Sequence, residues 1–283
     1  MFNNNKLFTS IDPVFDLFPK DKWIEEDDVF FYNFLGGKFR KEYFSKLGSG
    51  EIEKNYHWNA TLMTSMNPHY CLSEDYYEWI DILSSVRDAT DSYNMIKLGA
   101  HSGRWEIFSA IANNHLNKLP CKLVSVESSR HRLPYIKQNF DDNEVNKFDF
   151  DIDHEIVYGW ASRKTKTAEK PKKKSERKKC RQSYSLSDLI NKFETVDLID
   201  CDIQGAEIDV FHAARKRLNK KVKRVHIGTH SNEIDDSLRK TFSKMGWISN
   251  FCFRHNTSYD LPFGRMEFQD GIQSWTNPRF ING

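Results

Sequence analysis

The stretch VDLIDCDIQGAEIDVF, residues 196–211, decides the fold. Aliphatic residues over Thr195–Ile203 (TVDLIDCDI) read as a buried strand. Gly205 then breaks it, and Gly205–Leu218 reads as a helix. Asp200 and Asp202 stand two apart, so in a strand they point to the same side, with Asp202 at the carboxyl edge. Carboxylates are costly to bury unless paired or ligated, so Asp202 and Glu207 are read as functional rather than structural.

The same alternation runs outward in both directions. Downstream come a strand over Val222–His230, a helix over Asn232–Met245 with Ile234, Leu238, Phe242 and Met245 on one stripe, and strands over Trp247–Arg254 and Gly264–Trp275. The last two have no helix between them and are expected to pair antiparallel. Upstream come strands over Asn94–Ala100, Lys122–Glu127 and Phe150–Trp160, helices over Gly103–Leu116 and Ser129–Phe140, and a short helix over Ser185–Phe193 capped by Ser185. Repeated strand–helix units predict an α/β fold: a Rossmann-like, mostly parallel sheet with helices on both faces and an antiparallel last strand. Ligands on such sheets sit beyond the carboxyl ends of the strands, where the winding reverses.

Composition sets the bounds. The chain has 283 residues, 39% hydrophobic and 29% charged; aromatics reach 14% and supply core volume in large pieces. This excludes wholesale disorder. No apolar run is long enough for a membrane span. The start, MFNNNKLFTSIDPVFDLF, lacks the basic residues and apolar block of a secretory signal. Five widely spaced cysteines, with no CxxC pair, predict reduced thiols in a cytoplasmic protein. Residues 1–90 read as an aromatic-rich N-terminal extension, partly helical, with Tyr76, Trp79, Ile80, Leu83 and Val86 at helical spacing over Asp75–Ala89; residues 91–283 read as the α/β domain. Within it lies a basic insertion at 163–182. Its Arg163–Arg181 segment holds 11 Lys/Arg and 2 Glu and so carries +9, against +2 for the whole chain, which leaves the rest acidic. That insertion reads either as a solvated loop or as an arm for nucleic acid or another anionic surface.

The strand ends carry the chemistry. Gly99-Ala100-His101-Ser102-Gly103 is a Gly-x-x-x-Gly turn that lets backbone approach a ligand or, equally, lets strand pack on helix. Glu127, followed by Ser128, ends the second strand, where an acidic residue accepts hydrogen bonds from ribose hydroxyls or caps the next helix. Thr229-His230-Ser231 ends the fifth strand and sets an imidazole beside Asp202.

The run VDLIDCDIQGAEIDVF, followed by KRVHIGTHS, the helix LRKTFSKMGW and the tail FQDGIQSWTNPR, closely resembles the FkbM family of S-adenosylmethionine-dependent methyltransferases, over about Asp75 to Arg279. The resemblance implies the class I methyltransferase fold, with a seven-stranded sheet, and O-methylation of a hydroxyl on a sugar, glycan or sugar-like metabolite. It implies that Gly99 and Gly103, with Ala100 and His101, form the turn near the methionine moiety. Glu127 then holds the ribose, with Ser128 beside it, and Asp202 lies near the methionine amino group and the acceptor. Gln204, Glu207 and His230 complete the signature on the acceptor side. One position departs from the family: Lys97 stands where its first strand usually carries a carboxylate. A lysine there opposes the cofactor's amino group by roughly 1 to 4 kcal/mol. Either Asp202 compensates, or Lys97 salt-bridges an acidic neighbour such as Asp202.

Methyl transfer needs the acceptor oxygen relieved of its proton. His230 is the expected base, with Asp202 orienting it or the acceptor; a structural histidine at a strand end is the alternative. His226 is expected in the core. A rival device is a divalent metal on Asp202, Glu207 and Asp270, which is not favoured. Trp105, Trp160, Trp247 and Trp275 are candidates for stacking on a sugar ring or for the core. Two other classes of function stand beside the enzyme: a nucleic-acid-binding or nucleic-acid-modifying protein that uses the insertion, and a non-catalytic methyltransferase-like module, suggested by Lys97.

Overall fold

The computed structural model describes residues 12–18, 27–41, 74–158, 160–162, 183–261 and 264–281. The basic insertion at 163–182, Cys71, Cys180 and the side chain of Trp160 lie outside the described set.

The parallel strands of the main sheet form over β-branched and aliphatic runs, most completely buried at its centre. These are β3 (Tyr93–Leu98), β4 (Cys121–Glu127), β5 (Ile152–Tyr158), β8 (Val196–Cys201) and β9 (Val222–Thr229). Every residue of β8 is buried, as expected of a strand covered on both sides. Two short strands, β6 (Trp160–Ser162) and β7 (Ser183–Ser185), pair in parallel beside the sheet. Near the end of the chain come β10 (Ile248–Phe253), β11 (Thr257–Leu261), β12 (Gly264–Phe268) and β13 (Gly271–Thr276).

The seven-stranded sheet has the order β10-β13-β9-β8-β3-β4-β5, with β13 antiparallel to both of its neighbours. The expected α/β fold, a mostly parallel sheet with an antiparallel last strand, is the observed one. The chain winds outward through β3, β4 and β5 and then returns to lay β8 against β3. The switch point therefore falls between the carboxyl ends of β3 and β8.

Helices cover both faces. On one lie α1 (Glu74–Arg87), α2 (Arg104–Leu116) and α3 (Leu133–Asp142), which share a core with Met95, Leu123 and Leu198. On the other lie α4 (Leu186–Asn191), α5 (Glu207–Lys221) and α6 (Asn232–Lys244), packed on Ile96, Val124, Ile199 and Val225. In α1 the spaced Tyr76, Trp79, Ile80, Leu83 and Val86 are all buried, as their period predicts. Ser185 and Ser231 cap α4 and α6 by accepting from Asp188 N and Ile234 N.

One expectation needs correction. Gly264–Trp275 is not one strand: it breaks at Gln269-Asp270, and only its second half joins the sheet. The break has a physical cause. Glu74 accepts from the N–H groups of Gln269 (2.5 Å) and Asp270 (3.0 Å), and a Cβ on Gly271 would sit 2.3 Å from Thr229 Oγ1, so the chain turns inward at a residue without one. The first half folds back on β11 as a separate hairpin held by Tyr259, Phe253 and Phe268. The N-terminal extension, read as partly helical, also contains the hairpin β1 (Phe30–Tyr32) and β2 (Lys38–Arg40). Arg40 clamps Asp142 with two hydrogen bonds of 2.6 and 2.7 Å, and Phe39 meets Phe108 edge-on.

Candidate active site

The loops after β3 and β8 touch at the switch point. Asp202 N donates to Leu98 O at 2.9 Å. Gly99 has φ +82°, and a Cβ there would stand 1.9 Å from Asp202 O. Gly103 (φ +75°) is the N-cap of α2 and packs under Ile136 and Phe140, so it shapes the turn from behind.

Two cavities open at this seam and share Gly99, His101 and Asp202. One, of about 430 Å³, runs toward Glu127, Ser128 and Ile203. The other, of about 270 Å³, runs toward Lys97, Ala100, Trp105 and Asp270.

In the first cavity Glu127 is 2% exposed. Its Oε2 accepts from His101 N at 2.8 Å and its Oε1 from Ser129 N at 2.6 Å. Each oxygen keeps a second lone pair, so the carboxylate is fixed in orientation yet still able to accept from hydroxyls. His101 takes a left-handed conformation (φ +53°), and burial with the charges of Arg132 and Arg104 pushes its imidazole down to about 3. It is a neutral ring at physiological pH.

At the seam, His230 stands between two carboxylates. Its Nδ1 lies 2.9 Å from Glu207 Oε1 and its Nε2 lies 3.1 Å from Asp202 Oδ1. Gln204 donates from Nε2 to Asp202 Oδ1 at 3.1 Å, and its amide lies 2.9 Å from His230 Nε2. Burial opposes the charged ring, but hydrogen bonds to Asp202 and Glu207 outweigh it and raise His230 to about 10. Burial likewise opposes the Asp202 anion, yet His230 and the Lys97 charge bring it down to about 2. The pair is an imidazolium and a carboxylate whose side chain is half exposed. Glu207 is wholly buried behind the ring, at the first turn of α5.

In the second cavity Lys97 Nζ donates to Asp200 Oδ2 at 2.7 Å and to Glu78 Oε1 at 2.8 Å. Lys97 does salt-bridge acidic neighbours, Asp200 and Glu78 rather than Asp202: it stands opposite Asp200 in the β3–β8 register, the strand ends at Cys201 before Asp202, and α1 brings Glu78 in from the preceding helix. Burial would lower Lys97, but Asp200 and Glu78 hold the ammonium above its ordinary value. Asp200 itself is pushed well up by burial and by the charge of Glu78.

The structure thus brings Gly99, Ala100, His101, Glu127, Ser128, Asp202, Gln204, Glu207 and His230 to one rim, with Gly103 behind it. Glu78, Asp75 and Arg104 were not picked out by sequence reasoning. Their signal is visible in retrospect: Glu74, Asp75 and Glu78 fall within one helical turn on the face of α1 toward the strand ends. His226 is core as expected, held 2.8 Å from Asp81. Trp105, Trp247 and Trp275 are core too, and Trp105 also borders the second cavity. Among the described residues no group of three or more His, Cys, Asp or Glu is placed to hold a metal ion, and Asp202 and Glu207 are turned onto His230. The described cysteines Cys121, Cys201 and Cys252 are free. No helix among the described residues is long and apolar enough to cross a membrane.

No family model matches the chain. A curated protein described as a "Putative methyltransferase", from Jannaschia sp. (strain CCS1), is 25% identical over 194 residues, 61% of this chain and 68% of that protein. Among solved structures, precorrin-6Y C5,15-methyltransferase from Geobacter metallireducens GS-15 aligns with a TM-score of 0.45 at 10% identity, covering 72% of this chain and 89% of that one. The O-methyltransferase from Bacillus cereus in complex with SAH aligns with a TM-score of 0.42 at 12% identity, covering 83% and 96%.

Proposed function

We propose that the chain is an S-adenosylmethionine-dependent O-methyltransferase acting on a hydroxyl of a sugar or sugar-like molecule. The observation that carries this reading is the shared rim: a side-chain-free floor at Gly99, a buried carboxylate at Glu127, and Asp202 where the two cavities meet. The curated relative's description as a methyltransferase and the motif resemblance to FkbM proteins support it.

The residues present fit the cofactor. Glu127 has free lone pairs for two vicinal ribose hydroxyls, and Gly99 lets the ligand lie against backbone. The larger cavity suits a nucleoside and the smaller one suits an amino-acid tail and an acceptor. Lys97 is no obstacle, because two carboxylates already neutralise it. When bound, S-adenosylmethionine supplies an electrophilic methyl group on a sulfonium.

The chain's own part is positioning and proton handling. A ring held near pKa 10 between two carboxylates is already protonated at neutral pH. We therefore reassign the roles expected from sequence. Asp202, ionised and half exposed at the seam, would accept a hydrogen bond from the acceptor hydroxyl, take its proton as that oxygen is methylated and release it to solvent, and His230 holds Asp202 in place.

Titration calorimetry with S-adenosylhomocysteine tests the reading, followed by transfer of a labelled methyl group to a panel of glycans. Wild type should bind, and Glu127→Ala should lose most of the affinity. Absence of binding by the wild-type protein would overturn the proposal.

A further inference from the structure

The second half of α5 carries positive charge that the fold does not use. Residues 210–224 (VFHAARKRLNKKVKR) hold seven Lys/Arg and no Asp or Glu. Set beside +2 for the whole chain and +9 for the Arg163–Arg181 segment, this run leaves all other residues at −14. Three of its cations are structural: Lys221 donates to Phe193 O, Lys223 pairs with Asp197 at 2.8 Å and Arg224 with Asp81 at 3.0 Å. Arg215, Lys216, Arg217 and Lys220 are exposed, and among the described residues none of them has a carboxylate within ion-pair distance. Basic residues in the last turn of a helix complement its dipole, and Lys220 and Lys221 fill that role here. Arg215, Lys216 and Arg217 lie before that turn, and their like charges repel one another. Beside them runs a groove of about 530 Å³ between α4 and α5. These three residues and His212 line one wall, and Ser187 and Asn191 of α4 line the other; Asp188 is the one carboxylate in the described lining. The strands that bracket the basic insertion, β6 and β7, also pack against α5, so the +9 segment leaves and re-enters the fold on this side.

We propose that the α4–α5 groove is a docking surface for the phosphate backbone of a duplex nucleic acid, held without regard to base sequence. The two guanidinium groups match phosphate oxygens in a fork, and Lys216 adds a mobile point charge. Ser187 and Asn191 supply neutral hydrogen-bonding groups across the groove. No aromatic ring lines it, so unpaired bases find nothing to stack on, and a duplex, whose bases already stack on each other, fits better than a single strand. A membrane fits less well. The large apolar side chains exposed among the described residues are Leu17, Val29, Ile248 and Ile281, and none of them is on α4 or α5 to enter a bilayer. The surface lies on the outer helix layer and shares no residue with the rim of the cavities, so docking there is independent of the cofactor reading.

The test follows the anisotropy of a fluorescently labelled DNA duplex of about twenty base pairs as the full chain is added at several salt concentrations. Wild type should bind, and more weakly as salt rises. Lys216→Glu combined with Arg217→Glu should weaken binding about tenfold or more at low salt and flatten the plot of log affinity against log salt by about 2, the share of two phosphate contacts. The milder Arg217→Gln should flatten it by about 1. Both changes are at exposed positions, and an unchanged melting temperature confirms that the fold is kept. The control reverses two exposed lysines on the opposite helix layer, Lys137→Glu in α3 with Lys147→Glu just after it, and should stay within about threefold of wild type. Equal losses in the groove and control variants would mean that net charge alone is felt, and that overturns the proposal. So does a groove variant that binds as tightly as wild type, which would place the contact elsewhere on the chain. Wild type that ignores the duplex overturns it as well; if the protein then sediments with vesicles of phosphatidylserine and phosphatidylcholine, the surface is a membrane contact instead.

Discussion

Gly99 leaves no room for a side chain. Its left-handed φ and the 1.9 Å approach of its missing Cβ to Asp202 O mean that Gly99→Ala must move one of the two loops that build the rim. The strain alone costs about 1 to 3 kcal/mol. We expect a lower midpoint in chemical denaturation and loss of S-adenosylhomocysteine binding in calorimetry. His230 makes a prediction of the opposite kind. Its folded-state pKa of about 10 lies above the ordinary 6.5. The ring therefore contributes stability that is fully present below pH 6.5 and lost as pH rises through about 10. Melting curves of wild type and His230→Gln should differ most in mild acid and converge at high pH. That Asp202 and His230 meet was legible in the sequence, because neighbouring parallel strands place their last residues side by side. That the ring is protonated was not, since it depends on Glu207 reaching back from the first turn of α5 to its far nitrogen.

Helix α1 shows the same limit at the scale of elements. Its existence was legible from the spacing of Tyr76, Trp79, Ile80, Leu83 and Val86. Its polar face was not, because the partners are distant in sequence. Asp81, fully buried, accepts from Arg224 Nη1 at 3.0 Å and from Ser274 Oγ at 2.6 Å, and its Oδ2 lies 2.8 Å from His226 Nδ1. One carboxylate thus ties α1 to β9 and β13. Asp81→Ala leaves the largely buried Arg224 with Asp88 alone, at 3.3 Å, and takes the acceptor from Ser274, so it should lower stability by about 1 to 3 kcal/mol in denaturant titration. The hairpin β11–β12 escaped sequence reading for a related reason. Asn256-Thr257-Ser258 looks like loop until Phe253, Tyr259 and Phe268 stack to hold it.

For the whole molecule, acid response follows from groups buried in unfavourable charge states. Burial takes His101 down to about 3 and His154 down to about 4, below their ordinary 6.5. Both supply stability above pH 6.5 that drains away as pH falls through those values. Burial raises Glu74 and Glu106 to about 7 from 4.5, so their contribution is present below pH 4.5 and lost as pH rises through about 7. The two sets oppose each other between about pH 7 and 4.5, and below that only the histidines continue. A melting-temperature scan should be shallow between about pH 6.5 and 4.5 and steepen below 4.5, and His154→Phe, which keeps the stack on Phe140, should soften the fall above about pH 4.

The parallel pair β6–β7 bears on how this protein can vary. Trp160 faces Ser183 and Ser162 faces Ser185, so the chain on either side of the basic insertion is stapled to itself before it reaches the main sheet. The ladder thus fixes the span between residues 162 and 183, and a change of sequence between them meets this small parallel pair before it meets the register of the seven strands.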